Sequence, residues 1–274
     1  MTEFNENCCP LNMHPEIVRI PVGRILEKLD VMADRGETDS AEKLMKYWIS
    51  EAEAGHDPNG KLSMLSEQIG FYRKQGREKE CIEAIETALP VLKELKLDET
   101  VSGATIMLNA ATGYKAFGRP EESLSIFRRV QSVYENNLEA DDRRMAGLYN
   151  NMALTLTDLK EYDEAQKLYE KALSVLKQNK NAEADMAITY LNLADLVSDR
   201  IGAEAGEKQI EEYLDKAESL LDTETLPQDG YYAFVCEKCA PVFDHYGYFL
   251  TKQKLERKAE KIRHDAISAK EKQK

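Results

Sequence analysis

The sequence is poor in helix breakers and in the residues that build β-sheets. Of its 274 residues, 14 are glycine and 8 are proline, and runs of β-branched residues are scarce. Hydrophobic residues make up 42% of the chain, which is too apolar for a disordered protein. This balance excludes an all-β protein and favours a helical one that is long enough to bury a substantial core.

Long apolar runs are also missing. No segment approaches the ~18 consecutive apolar residues of a membrane span. The N-terminus carries Glu3 and Glu6 before its first positive side chain, Arg19, and lacks the apolar stretch of a secretory signal. The five cysteines of a chain that is not exported are expected to be reduced thiols. We therefore expect a cytoplasmic protein that does not associate with membranes.

Positive charge is in deficit. There are 37 Lys and Arg against 50 Asp and Glu, for a net charge of −13. Because a nucleic-acid backbone needs cations to replace its counterions, this balance disfavours DNA and RNA as partners. The exception is the tail from Tyr248 onward, where nine Lys and Arg against four Asp and Glu give a charge of about +5. We interpret the tail as a solvated helix.

Motifs for catalysis are lacking too. The sequence has no phosphate-binding loop and no dinucleotide fingerprint. Four histidines are scattered without a Ser or Cys partner motif: His14, His56, His245 and His264. We expect neither an enzyme nor a bound cofactor.

Cys236-x-x-Cys239, with His245 nearby, looks like half of a zinc site. A structural zinc ion takes four ligands, and no second pair of this spacing exists. Cys8 and Cys9 could contribute only if the N-terminus folded back across most of the chain. Since a spacing of three residues is also helical spacing, we expect Cys236 and Cys239 to pack inside a helix.

What the sequence does contain is an internal repeat of about 42 residues. Gly36, Gly76, Gly118 and Lys160 are spaced by 40, 42 and 42 residues, and each stands in a short turn before an apolar stripe of helical period. Further along, the apolar pattern recurs after 45 and then 42 residues, and we assign the three extra residues to the connection 201–206.

A single pair of amphipathic helices cannot bury its own apolar stripe, but stacked pairs bury each other's. The repeat therefore predicts an all-α solenoid of about six antiparallel helix–turn–helix units, followed by a C-terminal capping helix. We divide the chain into a flexible N-terminal segment 1–21, a solenoid 22–247, and a final helix with a basic tail 248–274. Pro90 and Pro241 fall inside predicted helices and are expected to kink or shorten them.

Small and aromatic residues now point to a family. Tyr149-x-x-Met152-Ala153-x-x-Leu156 and Ala165-x-x-x-Tyr169 resemble tetratricopeptide repeats, and the match is sharpest in 103–221. The longer repeat, with Tyr162–Leu173, is similar to the repeats of kinesin light chains and of bacterial relatives. The resemblance implies a right-handed superhelix that binds proteins in a concave groove lined by the first helix of each pair. It does not imply a kinesin, because no heptad region is present.

An asparagine series is the main candidate binding site. Asn109, Asn151 and Asn192 are spaced by 42 and 41 residues, each two residues before a small packing residue, and Asn150 lies beside Asn151. A carboxamide suits an extended peptide backbone because it donates and accepts hydrogen bonds. In repeats like these, first-helix asparagines commonly clamp a peptide main chain. The alternative is that they bond the neighbouring helix and tie the repeats together.

The same face is predicted to carry a charge gradient. Lys115, together with Arg73 and Lys74, is expected to project from the earlier first helices. The later first helices contribute five acidic residues: Asp158, Asp195, Asp199, Glu237 and Asp244. Such a gradient would steer a partner segment into one orientation. Plain solvation of these charges is the alternative.

The sequence therefore predicts a scaffold or adaptor that binds an extended peptide or protein segment. One alternative is a peptide-sensing protein that regulates an effector. Residues 1–60 show no basic recognition helix, which counts against direct control of DNA. A second alternative is a homo-oligomer in which the basic tail of one copy binds the acidic groove of another.

Overall fold

The computed structural model describes residues 17–223 and 226–271, and within these ranges the chain forms α-helices and no strands. The helices are α1 Val22–Asp34, α2 Thr38–Ala54, α3 Pro58–Lys74, α4 Glu78–Glu94, α5 Val101–Ala116, α6 Pro120–Asn137, α7 Arg143–Asp158, α8 Tyr162–Leu176, α9 Glu183–Ile201, α10 Ala203–Leu221, α11 Gly230–His245 and α12 Phe249–Glu271. The prediction of an all-α chain built from helix pairs is confirmed. None of the described helices is long and apolar enough to cross a membrane.

The helices fall into two compact units that divide after Phe117. In unit 1 the first helices of successive pairs, α1, α3 and α5, lie side by side, and α2 and α4 pack against them. In unit 2 the first helices are α7, α9 and α11, and each packs against the second helix of its own pair. Unit 1 thus holds two helix pairs and α5, and unit 2 holds α6 and three helix pairs. Within each unit, neighbouring helices cover each other's apolar stripes.

A left-handed residue closes the turn between the helices of most pairs. Gly36, Gly76 and Gly118 have φ of +67°, +68° and +70°, and Lys160 takes the same position with φ +63°. Glycine is favoured here because a Cβ is crowded in the left-handed region. The spacing of 40 to 42 residues between these four positions therefore marks a backbone requirement of the turn.

Two expectations about helix lengths are wrong, whereas a kink at Pro90 or Pro241 stays a prediction. Residues 203–206 are not a connection: α9 and α10 have 19 residues each, and only Gly202 (φ +87°) separates them. Pro241 does not shorten α11, which has 16 residues, as α5 and α7 do; Pro90 likewise lies inside the 17-residue α4. Both prolines are followed by a buried residue of the same helix, Leu92 or Phe243, and this packing offsets one missing backbone hydrogen bond.

The described part of the N-terminal segment, residues 17–21, is hydrogen-bonded to the turn after α2. Cys8 and Cys9 lie outside the described residues, as does most of the segment 1–21. At the end of that segment the backbone N–H of Val18 donates to the carbonyl oxygen of Gly55 (2.8 Å), and that of Ile20 donates to Asp57 Oδ2 (3.0 Å). The predicted capping helix is α12, the second helix of the sixth pair.

An ionic network joins α2 to α3 and to the turn after it in unit 1. The Glu42 carboxylate accepts from Arg77 Nη1 (2.5 Å), from the Tyr72 hydroxyl (3.2 Å) and pairs with Lys46 Nζ (2.7 Å). The hydrogen bond from Arg77, supported by Lys46, lowers the pKa of Glu42 from its ordinary 4.5 to about 2. Stability from this carboxylate is therefore complete above about pH 4.5 and is lost as the pH falls through about 2.

We expect Glu42→Gln to lower the free energy of unfolding by about 1 kcal/mol at pH 7, because charge-assisted bonds at a partly exposed site are replaced by neutral ones. The difference from wild type should shrink towards pH 2, where the carboxylate itself becomes neutral. Denaturant unfolding across this pH range measures it. Glu83→Gln, which removes a loosely paired and exposed carboxylate from α4, is the control and should change little. A deficit that persists at pH 2 would contradict the assignment to charge.

Candidate functional site

The first helices of unit 2 expose the same five positions on one side. On α9 these are Asp185, Ile188, Asn192, Asp195 and Asp199, whose spacing of three and four residues places them on one helical stripe. The equivalent residues are Arg144, Gly147, Asn151, Leu154 and Asp158 on α7, and Tyr231, Phe234, Lys238, Pro241 and His245 on α11. All are exposed or half-buried, whereas packing residues of the same helices are buried. We call these fifteen residues the first-helix face of unit 2.

The asparagine series occupies one position of this stripe on α7 and α9 and the equivalent position of α5, but its members differ in their hydrogen bonds. In unit 1, Asn109 Nδ2 donates to Ser66 Oγ on the neighbouring first helix (3.0 Å). In unit 2, Asn151 Nδ2 donates within its own helix to the carbonyl oxygen of Gly147 (3.0 Å). Asn192 Nδ2 is buried and finds no hydrogen-bond partner among the described residues. A buried donor without a partner costs free energy, so Asn192 differs from the other two.

Asn150 lies one residue before the stripe and ties two first helices together. Its Nδ2 donates to Thr189 Oγ1 on α9 (2.9 Å), while its Oδ1 is buried without a partner among the described residues. The amide groups of Asn109 and Asn150 thus form hydrogen bonds between neighbouring repeats. Such bonds were the alternative to peptide binding in the sequence analysis. A peptide-binding role for these asparagines stays a prediction.

The predicted charge gradient is only partly assembled. Glu237 accepts from Arg263 of α12 (3.1 Å), and Asp244 pairs with Lys252 of α12 (3.1 Å), so neither carboxylate contributes to the first-helix face. Lys115 lies in unit 1, one residue before the stripe position that Ala116 holds on α5. Sequence spacing alone could not show these differences, because they depend on which helix each side chain packs against.

Asp158, Asp195 and Asp199 do lie on the face, towards the C-terminal ends of α7 and α9. Asp195 accepts a hydrogen bond from the hydroxyl of Tyr246, the residue that follows α11 (2.9 Å). Burial raises the pKa of Asp195 above its ordinary 3.8, and the charge of Asp199 adds to the rise. This end of the face is therefore acidic and partly shielded from water.

The other end of the face carries an aromatic pair that sequence reasoning missed. Tyr231 and Phe234 are 46% and 49% exposed, and their ring centroids are 6.3 Å apart. The Tyr231 hydroxyl donates to Asp185, which also accepts from Arg143 Nε (2.6 Å), so one network joins α11, α9 and α7. The signal in the sequence was that 231 and 234 follow 185 and 188 at the same distance, 46 residues.

A small cavity of about 240 Å³ opens next to this network. Its lining residues are Arg143, Ala146, Gly147, Asn150, Leu176, Asp185 and Ile188. A Cβ added to Gly147 would meet no atom within 4 Å, which shows how open the α7 side of the face is. The aromatic pair and the cavity together make this end of the face apolar. The ion pair of Arg143 and Asp185 lies at its border.

The cysteines of the CxxC sequence are packing residues. Cys236 and Cys239 are 0% and 1% exposed in α11, and burial raises the pKa of both thiols. Among the described residues, no group of three or more His, Cys, Asp or Glu side chains is arranged to hold a metal ion.

Known proteins resemble the chain in fold. No curated protein matches its sequence. Among solved structures, BtubC (BKLC) from P. vanneervenii is 24% identical, with a TM-score of 0.64 over 73% of this chain and 79% of that one. The nearly identical TPR-like repeats of a candidate kinesin light chain from Podosopora anserina are 15% identical, with a TM-score of 0.52 over 75% and 96%. At these identities the likeness is one of fold.

One family is recognised in the sequence itself. The tetratricopeptide repeat model matches residues 144–202, which span α7, α8 and α9. These helices contain the residues that carry the sequence resemblance and the central part of the first-helix face. Residues 144–202 therefore match the tetratricopeptide repeat model, and the chain is a helical-repeat protein whose fold is similar to that of TPR-like repeats in solved structures.

Proposed function

We propose that unit 2 binds an extended segment of a partner protein across its first-helix face. Tetratricopeptide repeats generally mediate interactions between proteins, and their scaffolds are generally non-catalytic. The observation that carries the proposal is the exposed pair of Tyr231 and Phe234, which lies on the same face as the unpaired amide of Asn192. Aromatic side chains of this kind are common anchors in protein interfaces.

The dimensions of the face suit a short peptide. Neighbouring packed helices lie roughly 8–10 Å apart, so the span from α7 to α11 is about 20 Å. An extended chain advances about 3.3 Å per residue, so roughly six residues cross the three helices. Asn151 can bond the backbone of such a segment once it releases Gly147, and Asn192 can do so once its buried amide turns outward, while Tyr231 and Phe234 contact one apolar side chain.

The self-association alternative has less support. Several cations of the basic helix α12 form ion pairs within unit 2. Lys258 Nζ lies 3.4 Å from Asp222 Oδ1, and Arg263 and Lys252 pair with acidic residues of α11. These cations are therefore already engaged and are poor candidates for binding a second copy. An adaptor and a peptide-sensing regulator would both use the same binding step, which we place in the cytoplasm.

The test begins with selection of binders to the full chain from a displayed random 12-residue peptide library. Dissociation constants of the selected peptides are then measured for wild type and for the double variant Asn151→Ala/Asn192→Ala. We expect the double variant to bind about fivefold more weakly, with a nearly unchanged melting temperature, because partner hydrogen bonds are lost and no bond between repeats is.

The matched control removes two amides from second helices, Gln131→Ala/Gln166→Ala, and should bind as wild type does. If the asparagine variant melts many degrees lower and yet binds normally, the two residues tie the scaffold together instead. If selection enriches no peptide, the proposed function itself is wrong.

A further inference from the structure

The cavity between α7 and α9 on the first-helix face is framed by two bonds that join these helices. At one end Arg143 Nε donates to Asp185 (2.6 Å), and at the other Asn150 Nδ2 donates to Thr189 Oγ1 (2.9 Å). Arg143 and Asn150 are seven residues apart on α7, which is two helical turns, so the opening lies between the two bonds. Because both ends are fixed, the cavity of about 240 Å³ is already formed in the unbound protein.

The interior of the cavity is mainly apolar. Its walls include Ala146 and Leu176, both 1% exposed, and the half-buried Ile188. The two charged residues that line it, Arg143 and Asp185, are paired with each other. A charged side chain that entered would lose hydration without gaining a partner, whereas an apolar one would gain buried area.

A missing side chain keeps the cavity open. Gly147 is the fifth residue of α7, and the equivalent positions of α9 and α11 hold the large apolar residues Ile188 and Phe234. Glycine weakens a helix interior, yet neither a left-handed φ nor a close neighbour requires it here, since a Cβ would meet no described atom within 4 Å. The sequence thus accepts a weaker helix at the point where a side chain would fill the opening.

The volume of the cavity suits one large apolar side chain. Liquid water occupies about 30 Å³ per molecule, so 240 Å³ corresponds to about eight non-hydrogen atoms. The side chains of leucine, methionine and phenylalanine all fit within this limit.

We propose that this cavity receives one large apolar side chain of the bound partner segment, and that Gly147 keeps the cavity accessible. The inference rests on the proposed function of the first-helix face and adds a second anchor point to that of Tyr231 and Phe234. It makes position 147 a determinant of specificity, because a larger residue there would occupy the space that the partner side chain needs.

The two anchor points set a spacing within the partner. Gly147, Ile188 and Phe234 lie at the same level of the first helices α7, α9 and α11, which contact each other in that order. At roughly 9 Å between packed helices, the groove between α7 and α9 is about 13 Å from α11. An extended chain covers that distance in about four residues, and residues four apart point to the same side of it. The partner segment should therefore carry two apolar side chains about four residues apart.

Selection from the displayed random 12-residue peptide library tests the inference, with the library panned in parallel on three forms of the full chain. These are wild type, Gly147→Leu, and the matched control Gly70→Leu, a change inside α3 of unit 1 where a Cβ would likewise meet no described atom within 4 Å. We expect two large apolar residues about four positions apart in the wild-type and control pools, and only one in the Gly147→Leu pool. Gly147→Leu should melt no lower than wild type, because leucine is a better helix former than glycine.

Affinities of the tightest wild-type peptide test whether the lost contact is the one in the cavity. Changing either of its two apolar residues to alanine should weaken binding to wild type about tenfold. One of these changes should weaken binding to Gly147→Leu less than about twofold, because that variant has already lost the contact. If Gly147→Leu unfolds, Gly147→Ala replaces it: one added carbon atom should shift its pool towards smaller apolar residues at this position.

The outcomes separate this inference from the function on which it rests. A wild-type pool whose binding needs Tyr231 and Phe234 but which has only one apolar position overturns the inference alone. A variant pool at position 147 that matches the wild-type pool at both positions also overturns it, as do equal losses from both alanine changes in Gly147→Leu. Absence of enriched peptides, or enrichment that survives Tyr231→Ala/Phe234→Ala, overturns the proposed function and the inference with it.

Discussion

Replacing Ala194 by leucine is expected to lower the free energy of unfolding of unit 2 by about 3 kcal/mol, the upper part of the range for an overpacked core. Ala194 is 0% exposed on α9, and Ala153 at the same position of α7 is 0% exposed as well. Because Ala194 is fully buried where α9 packs against neighbouring helices, the added carbon atoms have no open space. They must displace backbone or force side chains out of their rotamers.

Chemical denaturation followed by circular dichroism measures this loss. The matched control is Ala205→Leu, the same chemical change at an exposed position of α10, which should alter stability by less than about 0.5 kcal/mol. Equal effects of the two substitutions would mean that the small residues of the repeat do not mark the helix contacts.

The double variant Tyr231→Ala/Phe234→Ala is expected to weaken binding of selected peptides by tenfold or more, about 1.4 kcal/mol or above. The two rings are the exposed aromatic surface of the first-helix face, and their removal leaves little apolar area for a partner side chain. Because both are about half exposed, the fold should lose less than it would from a buried aromatic residue. Fluorescence polarisation with a labelled peptide measures the affinity.

Two further variants test whether the loss of binding is specific to the rings of Tyr231 and Phe234. Phe249→Ala removes a phenyl ring that is 60% exposed at the start of α12 and should leave binding unchanged. Tyr231→Phe keeps the ring and removes only the hydroxyl bound to Asp185, so it should retain most of the affinity. Loss of binding in Phe249→Ala, or its retention in the double variant, would contradict the placement of the site.

The parts of the fold that were predictable from sequence are local ones. The left-handed turn residues at 36, 76, 118 and 160 repeat because every turn meets the same backbone requirement. Ala111, Ala153 and Ala194 repeat because neighbouring helices approach closely at that position, and all three are 0% exposed. Both features can be recognised in a single sequence because the turn and the close helix contact each restrict which residue types fit at their positions.

The candidate site was less predictable because it depends on contacts between side chains of different helices. The spacing of 42 and 41 residues aligns Asn109, Asn151 and Asn192, yet only the structure shows that the first donates to Ser66 and the last to no described residue. Tyr231 and Phe234 were missed because α11 follows α9 at a longer interval, which hid their equivalence to Asp185 and Ile188. Tertiary packing sets these relations.

The most direct measurement is photo-crosslinking of a selected peptide to the full chain. A photoreactive p-benzoylphenylalanine is placed at Asn192 on the first-helix face in one protein and at Gln166 on α8 in another. A peptide lying across α7, α9 and α11 should crosslink at position 192 and not at 166, and excess unlabelled peptide should abolish the product. Crosslinking at 166 alone would show that the partner binds the second helices, and it would contradict a binding site on the first-helix face.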